Sequence, residues 1–215
     1  MSNERLNPNY LTTSITLKIF LMQQSIFKPY QKHNGKRYTI GYGHYLTLEE
    51  GESFFPNGLT EEEAYNLFIE ELSLYETNIR NNVKVKLTQS QFDALISISY
   101  SLSLTIPGLN YINSEDFDNA ANSFLNYVNA NGKRKVELVD RRKQEIAIFS
   151  QGNYPNTITR IPKALENTRN TMKNNAIRLI KRRYPILELN GEETTELQKH
   201  QARSSYFRMT GMELR

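Results

Sequence analysis

The chain has 215 residues, of which 23% are charged and 38% hydrophobic, with no cysteine and a formal net charge of +4, the profile of one ordinary globular domain with an appendage. Disulfide and thiol chemistry are excluded, no apolar stretch approaches the roughly 18 residues of a bilayer-crossing helix, and His33, His44 and His200 lack metal-ligand spacing. The charge is uneven: residues 1–150 carry 15 Lys and Arg against 17 Asp and Glu, and residues 151–215 carry 12 against 6, so the basic character belongs to the tail.

Residues 1–10 are polar and lack the apolar core of a secretory signal, so no export signal is expected. Residues 12–27 bear Ile15, Leu17, Ile19, Phe20, Met22, Ile26 and Phe27 and predict a helix. Thr12, Thr13 or Ser14 caps it, and Pro29 stops it. Tyr30, Tyr38, Ile40 and Tyr42 then favour strands, and Asn34-Gly35 between two short runs signals a hairpin. Gly41 and Gly43 flank Tyr42 and allow close approach to the second strand.

From Thr60 the pattern turns helical. Thr60-Glu61-Glu62-Glu63 is a capping box, followed by an apolar face of Ala64, Leu67, Phe68, Leu72 and Tyr75. Thr88-Gln89-Ser90-Gln91 is a second box, opening a helix whose Phe92, Leu95, Ile96 and Ile98 predict deep burial. Pro107-Gly108 breaks it. Ser114 is expected to cap a helix through Phe117, Ala120, Ala121, Phe124, Leu125 and Val128, closed by Gly132, with a further helix over 136–149. Residues 152–162 read as a linker, and residues 163–183 as a weakly amphipathic helix. The expected fold is α+β and mostly helical: one domain over 12–151 with a small β-hairpin lobe and a helical lobe, and a basic, partly helical extension over 152–215.

Four blocks, in order, resemble the phage-type lysozymes. Thr39-Ile40-Gly41-Tyr42-Gly43-His44 matches the strand lining that family's cleft. Leu59 to Ala64 with Leu67-Phe68 matches the start of its inter-lobe helix, and Leu87 to Leu95 the start of its central helix. Leu138 to Glu145 with Phe149 matches the L-x-x-R-R-x-x-E-x-x-x-F helix that closes the domain. The resemblance implies a two-lobed fold with a glycan-binding cleft, acting on peptidoglycan without cofactor or metal.

In that family a glutamate at the end of the first helix is the general acid, and a second acid in the hairpin supports charge on the sugar. A threonine in the strand assists water. Counting back seven residues from Tyr30 puts Gln23 at the acid position, followed by Gln24 where the family has glycine. An amide has no titratable proton. The second acid falls at Lys32, or at His33 if the hairpin is one residue longer. Thr39 alone survives of the triad. Ser101 and Ser103 replace the Asn and Gly of the family's F-N-x-G. Loss of several non-adjacent members of one unit reads as natural decay of an active site on a retained fold.

The resemblance pairs His44 with Glu71 as a structural ion pair and uses at least one of Arg141 and Arg142 internally. Gln23, Lys32, Thr39, Tyr42, Tyr45 and Tyr100 are the candidate glycan contacts, although single aromatics such as Tyr38, Tyr42, Tyr45 and Tyr100 are as often core. Glu61, Glu62 and Glu63 suit the positive end of a helix dipole better than catalysis. The tail could meet anionic wall polymer, nucleic acid or an acidic protein, although a solvated helix face is the simpler reading. Its Tyr184, Tyr206 and Phe207, with Arg203 and Arg208, could anchor a protein partner. The expectation is a lysozyme-like domain that binds rather than cleaves, in a phage-tail, injection-machine or envelope assembly of bacterial or phage origin. The rival readings are an active muramidase using Glu49, Glu50 or Glu52, and a cell-wall-targeting effector.

Overall fold

A computed structural model describes residues 4–25, 27–34, 37–46, 55–130 and 132–155, with the backbone alone for 30–34 and 37. All of them fall in one unit that ends at Thr159. The expected helix over 163–183 and the tail aromatics lie outside the described residues.

The first helix, α1 (Ile15–Gln24), starts where Ser14 Oγ accepts from Leu17 N at 3.1 Å. Leu17, Ile19, Phe20, Leu21 and Met22 are all buried, so it packs on most of its circumference. It ends five residues before Pro29, which instead lies inside strand β1 (Lys28–Asn34). That strand is the edge of an antiparallel sheet with β2 (Arg37–Gly41) and β3 (His44–Leu46), in the order β1-β2-β3. An edge strand tolerates a residue with no N–H to give, and the register slips between Lys28 and Lys32, where Pro29 sits. Pro29 still contributes its carbonyl, which accepts from Leu59 N at 2.7 Å.

Helix α2 (Glu61–Asn82) begins with the expected box: Thr60 N donates to Glu63 Oε2 at 2.8 Å, and Glu63 N to Thr60 Oγ1 at 3.2 Å. Gly41, at φ +60°, lies so close to this first turn that a Cβ there would stand 3.1 Å from the Cβ of Ala64. The sheet therefore rests directly on α2. Helix α3 (Gln89–Ser101) starts with the second box, and every residue from Gln91 to Tyr100 is buried. It is the core of the unit, in contact with α1, α2 and the closing helix.

The segment after α3 departs from the sequence reading. Helix α4 (Leu109–Asn113) is short. Helix α5 (Phe117–Ser123) is capped by Asp116, whose carboxylate accepts from Asn119 N, and not by Ser114, whose hydroxyl donates back to the Asn110 and Tyr111 carbonyls. The helix tightens into a 3-10 turn, Phe124–Asn126, and gives way to a hairpin of β4 (Asn129–Ala130) and β5 (Lys133–Arg134). Gly132 belongs to that hairpin at φ +72° and closes no helix. Helix α6 (Val136–Gln151) ends in Gly152 at φ +67°, with Gly152 N and Asn153 N bonded to the Ile148 and Ala147 carbonyls.

The packed unit runs past 12–151 at both ends. Leu6 pairs with Leu87, and the Thr13 amide and hydroxyl both donate to Glu76. Tyr154, after α6, donates its hydroxyl to Asp93 at 2.6 Å. No helix among the described residues is long and apolar enough to cross a membrane.

Candidate functional site at the end of the first helix

Gln23 is the penultimate residue of α1 and is half-buried. Its Nε2 is shut off from solvent and has no hydrogen-bond partner among the described residues. Gln24 is exposed, and its amide reaches Gln144 Oε1 of α6 only at 3.5 Å. The end of α1 touches the turn between β2 and β3 at Gly43, where a Cβ would stand 3.0 Å from Ser25 Oγ. Glycine at φ +93° permits that approach.

Thr39 lies in the middle strand, 6% exposed, with Lys32 opposite it on β1 and Tyr45 on β3. The pairing thus brings Lys32, one of the two residues expected at the second acid position, beside Thr39, while His33 pairs with Tyr38. The side chains of Lys32 and His33 lie outside the described residues, as do Glu49, Glu50 and Glu52. Lys28 supplies a contact that sequence reasoning missed: its Nζ donates to Thr39 Oγ1 at 3.4 Å. Only the register slip, which has no sequence signal beyond Pro29, brings these two residues near.

The three tyrosines part company. Tyr42 is 3% exposed, with its ring centroid 5.7 Å from Phe27 and 6.0 Å from Phe68, and its hydroxyl donates to Glu61 Oε1 at 3.0 Å. Tyr100 is 9% exposed, packs on Phe68 and Tyr75, and donates to the Tyr42 carbonyl at 3.1 Å. Burial and the Glu71 carboxylate beside it raise its pKa, so the phenol stays neutral. Both rings are taken up in core packing, which leaves no face for a sugar. Tyr45 is 54% exposed on β3.

His44 Nδ1 lies 3.3 Å from Glu71 Oε2, so the contact ties β3 to α2. Glu71 also lies 3.4 Å from the Tyr100 hydroxyl. Arg142 and Glu145 are fully buried, with Arg142 Nη1 2.8 Å from Glu145 Oε2. That approach is close but off the donor axis, an ion contact without a formed hydrogen bond. Glu145 Oε1 accepts from Ser97 Oγ at 2.6 Å and Arg141 Nε at 3.1 Å, while Arg142 Nη2 reaches Ser101 Oγ at 2.6 Å. Both arginines therefore join α6 to α3. Ser101 serves that network, while Ser103 and Leu104 adopt φ of +49° and +72° without glycine. No group of three or more His, Cys, Asp or Glu among the described residues could hold a metal.

The candidate residues are thus an amide at the end of α1 and an ammonium and a hydroxyl on the sheet. A glycosidic bond needs an acid that holds and releases a proton, and neither Gln23 nor Thr39 does so near neutral pH.

The profile of the phage lysozyme family matches residues 26–145. The endolysin of Bacillus phage B103 is 36% identical over 141 residues, which covers 63% of this chain and 52% of that protein. The chain thus spans about half the length of that curated relative. Among solved structures, the muramidase domain of SpmX from Asticaccaulis excentricus aligns with 25% identity and a TM-score of 0.55, covering 65% of this chain and 97% of that one. An endolysin from Escherichia coli O157:H7 phage FAHEc1 aligns with a TM-score of 0.57 at 19% identity, over 67% of this chain and 97% of that one, a likeness of fold.

Proposed function

The chain belongs to the phage lysozyme family, and on that premise we propose that it holds a peptidoglycan glycan strand without hydrolysing it. What supports this reading is Gln23, which the resemblance puts at the position of the general acid. A carboxylic acid there would donate to the leaving oxygen and regain its proton each turnover; a primary amide does neither between about pH 2 and 10. By the same resemblance the second acid falls at Lys32 or His33, neither a carboxylate, and Lys32 pairs with Thr39 across the sheet. A cation beside an oxocarbenium-like centre opposes its formation. Thr39 can still orient a water or a sugar hydroxyl, which is a binding role. The basic extension beyond the packed unit, residues 160–215, would dock the domain to a larger assembly at the envelope.

The test is turnover of purified peptidoglycan by the native chain beside a Gln23→Glu, Lys32→Asp double variant. The expected outcome is a silent native chain and a variant that releases muropeptides. Release of muropeptides by the native chain would overturn the proposal and place the acid outside the positions the family uses.

A further inference from the structure

A carboxylate in the interior needs a cation or a set of donors. Asp93 has donors only: Ser14 N at 3.1 Å, Gln89 Nε2 at 3.0 Å and the Tyr154 hydroxyl at 2.6 Å. No ion pair among the described residues includes it. Asp93 is wholly buried, yet Ser14, Gln89 and Tyr154 are each only half-buried. The carboxylate therefore lies one side chain below the surface.

The three covering residues are held differently. Ser14 is the N-cap of α1, with its hydroxyl on Leu17 N, and Gln89 is the first residue of α3. Neither can leave without fraying a helix. Tyr154 follows α6 on a segment without regular structure. That segment is fixed at its start by Gly152 N on the Ile148 carbonyl and Asn153 N on the Ala147 carbonyl. Gly152 sits at φ +67°, and a Cβ there would meet nothing among the described residues nearer than 3.7 Å, so it can serve as the pivot.

We propose that residues 152–155 are a strap that opens while the rest of the unit stays folded, and that the charge on Asp93 sets how often it does so. Opening removes the Tyr154 side chain and admits water to the carboxyl. A charged carboxylate gains more from that water than a neutral acid. The closed strap therefore holds the Asp93 proton more tightly than the open one, as the rise of its pKa to about 6 on burial reflects. The sign follows: the strap is shut at acid pH and opens more as Asp93 ionises. From α1, Lys18 faces both Asp93 and Glu76 of α2. Glu76 accepts from Thr13 N and from Arg80, each at 2.8 Å. The charged residues that α6 turns towards α3, namely Arg141, Arg142 and Glu145, engage Ser97 and Ser101. None of these cations bonds to Asp93, so burial decides the direction. The strap is the path from α6 to the basic extension, and opening lengthens that tether by at most about 14 Å for four residues.

Hydrogen exchange of the full chain at pH 5 and pH 7.5, read by NMR with intrinsic rates divided out, tests this. The amides of Gly152 and Asn153 should be at least about tenfold less protected than those of Leu95 and Ile96 in α3, because they open locally. Their protection should fall about tenfold from pH 5 to pH 7.5, the linkage for a carboxyl that moves between 3.8 and about 6. In Asp93→Asn it should be level. The Asp93 carboxyl carbon of the native chain should titrate with a midpoint near 6, and the loss of protection should level off above it. Strap amides as protected as those of α3, protection unchanged with pH, or an Asp93 carboxyl that titrates at its ordinary value would each overturn the proposal. So would a fall of the same size in Asp93→Asn.

Discussion

Asp93 sits in the middle of α3, wholly buried. Its carboxylate accepts from Ser14 N at 3.1 Å, Gln89 Nε2 at 3.0 Å and the Tyr154 hydroxyl at 2.6 Å. These donors favour the charged form, but burial outweighs them and pushes the Asp93 pKa up to about 6. The same region holds Lys18, whose pKa burial lowers and whose ammonium faces both Glu76 and Asp93. A raised carboxyl pKa means that the folded state binds the proton more tightly than the unfolded chain. The contribution of Asp93 is therefore fully present below its ordinary value near 3.8 and is lost as pH rises through about 6. The difference is on the order of 3 kcal/mol at one pKa unit per 1.36 kcal/mol. Asp93→Asn, which keeps an acceptor for Ser14 N, should remove this slope. Thermal midpoints of native and variant between pH 4 and 7 should converge towards the acid end and diverge above pH 6, with the variant the more stable. Parallel curves would mean that Asp93 stays ionised throughout.

At the scale of elements, the turn into α4 depends on one backbone position. Gly108 takes φ +67°, and a Cβ there would stand 2.5 Å from Ser123 Oγ and 3.0 Å from the Cα of Ala120, so α5 packs directly against it. A serine can rotate away but a helix backbone cannot. Gly108→Ala should cost about 2–4 kcal/mol, left-handed strain plus overpacking. Gly132, at a similar φ of +72° with nothing among the described residues within 4 Å of a Cβ, should cost only about 1 kcal/mol on the same change. Urea unfolding of the two variants separates close packing from strain. The sequence marks both as turn glycines and cannot rank them, because the neighbour that matters at Gly108 comes from another helix. The same limit applies elsewhere. The two capping boxes and the buried run of α3 are local patterns, and they read directly. The β4–β5 hairpin has two-residue strands, too short for any periodicity, and so passes as the end of a helix. Aromatic identity says that Tyr42, Tyr45 and Tyr100 are large and amphipathic. Only the packing of Phe27, Phe68 and Tyr75 around the first and last assigns those two to the core. At the site, Gln23 and Lys32 follow from counting along a resemblance, whereas the Lys28–Thr39 contact depends on strand register.

Across the whole folded unit, the chain directly after α6 is bonded back onto the unit rather than starting a linker. Gly152 reverses the backbone in a left-handed turn, Asn153 N caps the helix at the Ala147 carbonyl, and Tyr154 then donates to Asp93 on α3. Burial and the neighbouring carboxylate raise the Tyr154 pKa, so its hydroxyl keeps its proton and remains a donor. A boundary drawn at the last helical residue would cut this bond. A chain ending after Gln151 leaves Asp93 without its shortest hydrogen bond and opens the space that Tyr154 fills. The loss should be about 2–4 kcal/mol, a buried hydrogen bond together with part of an aromatic side chain. A chain ending after Pro155 keeps both and should melt with the native unit. Tyr154→Phe in the full chain isolates the hydroxyl and should lower stability by about 1–2 kcal/mol. Its effect should be larger at pH 7 than at pH 4, because the carboxylate that loses its donor is charged only at the higher value. If truncation after Gln151 and after Pro155 give the same thermal midpoint, the segment 152–155 contributes nothing and the unit ends with α6. If they differ while Tyr154→Phe matches native, the ring holds the segment down and the hydrogen bond to Asp93 adds no stability of its own.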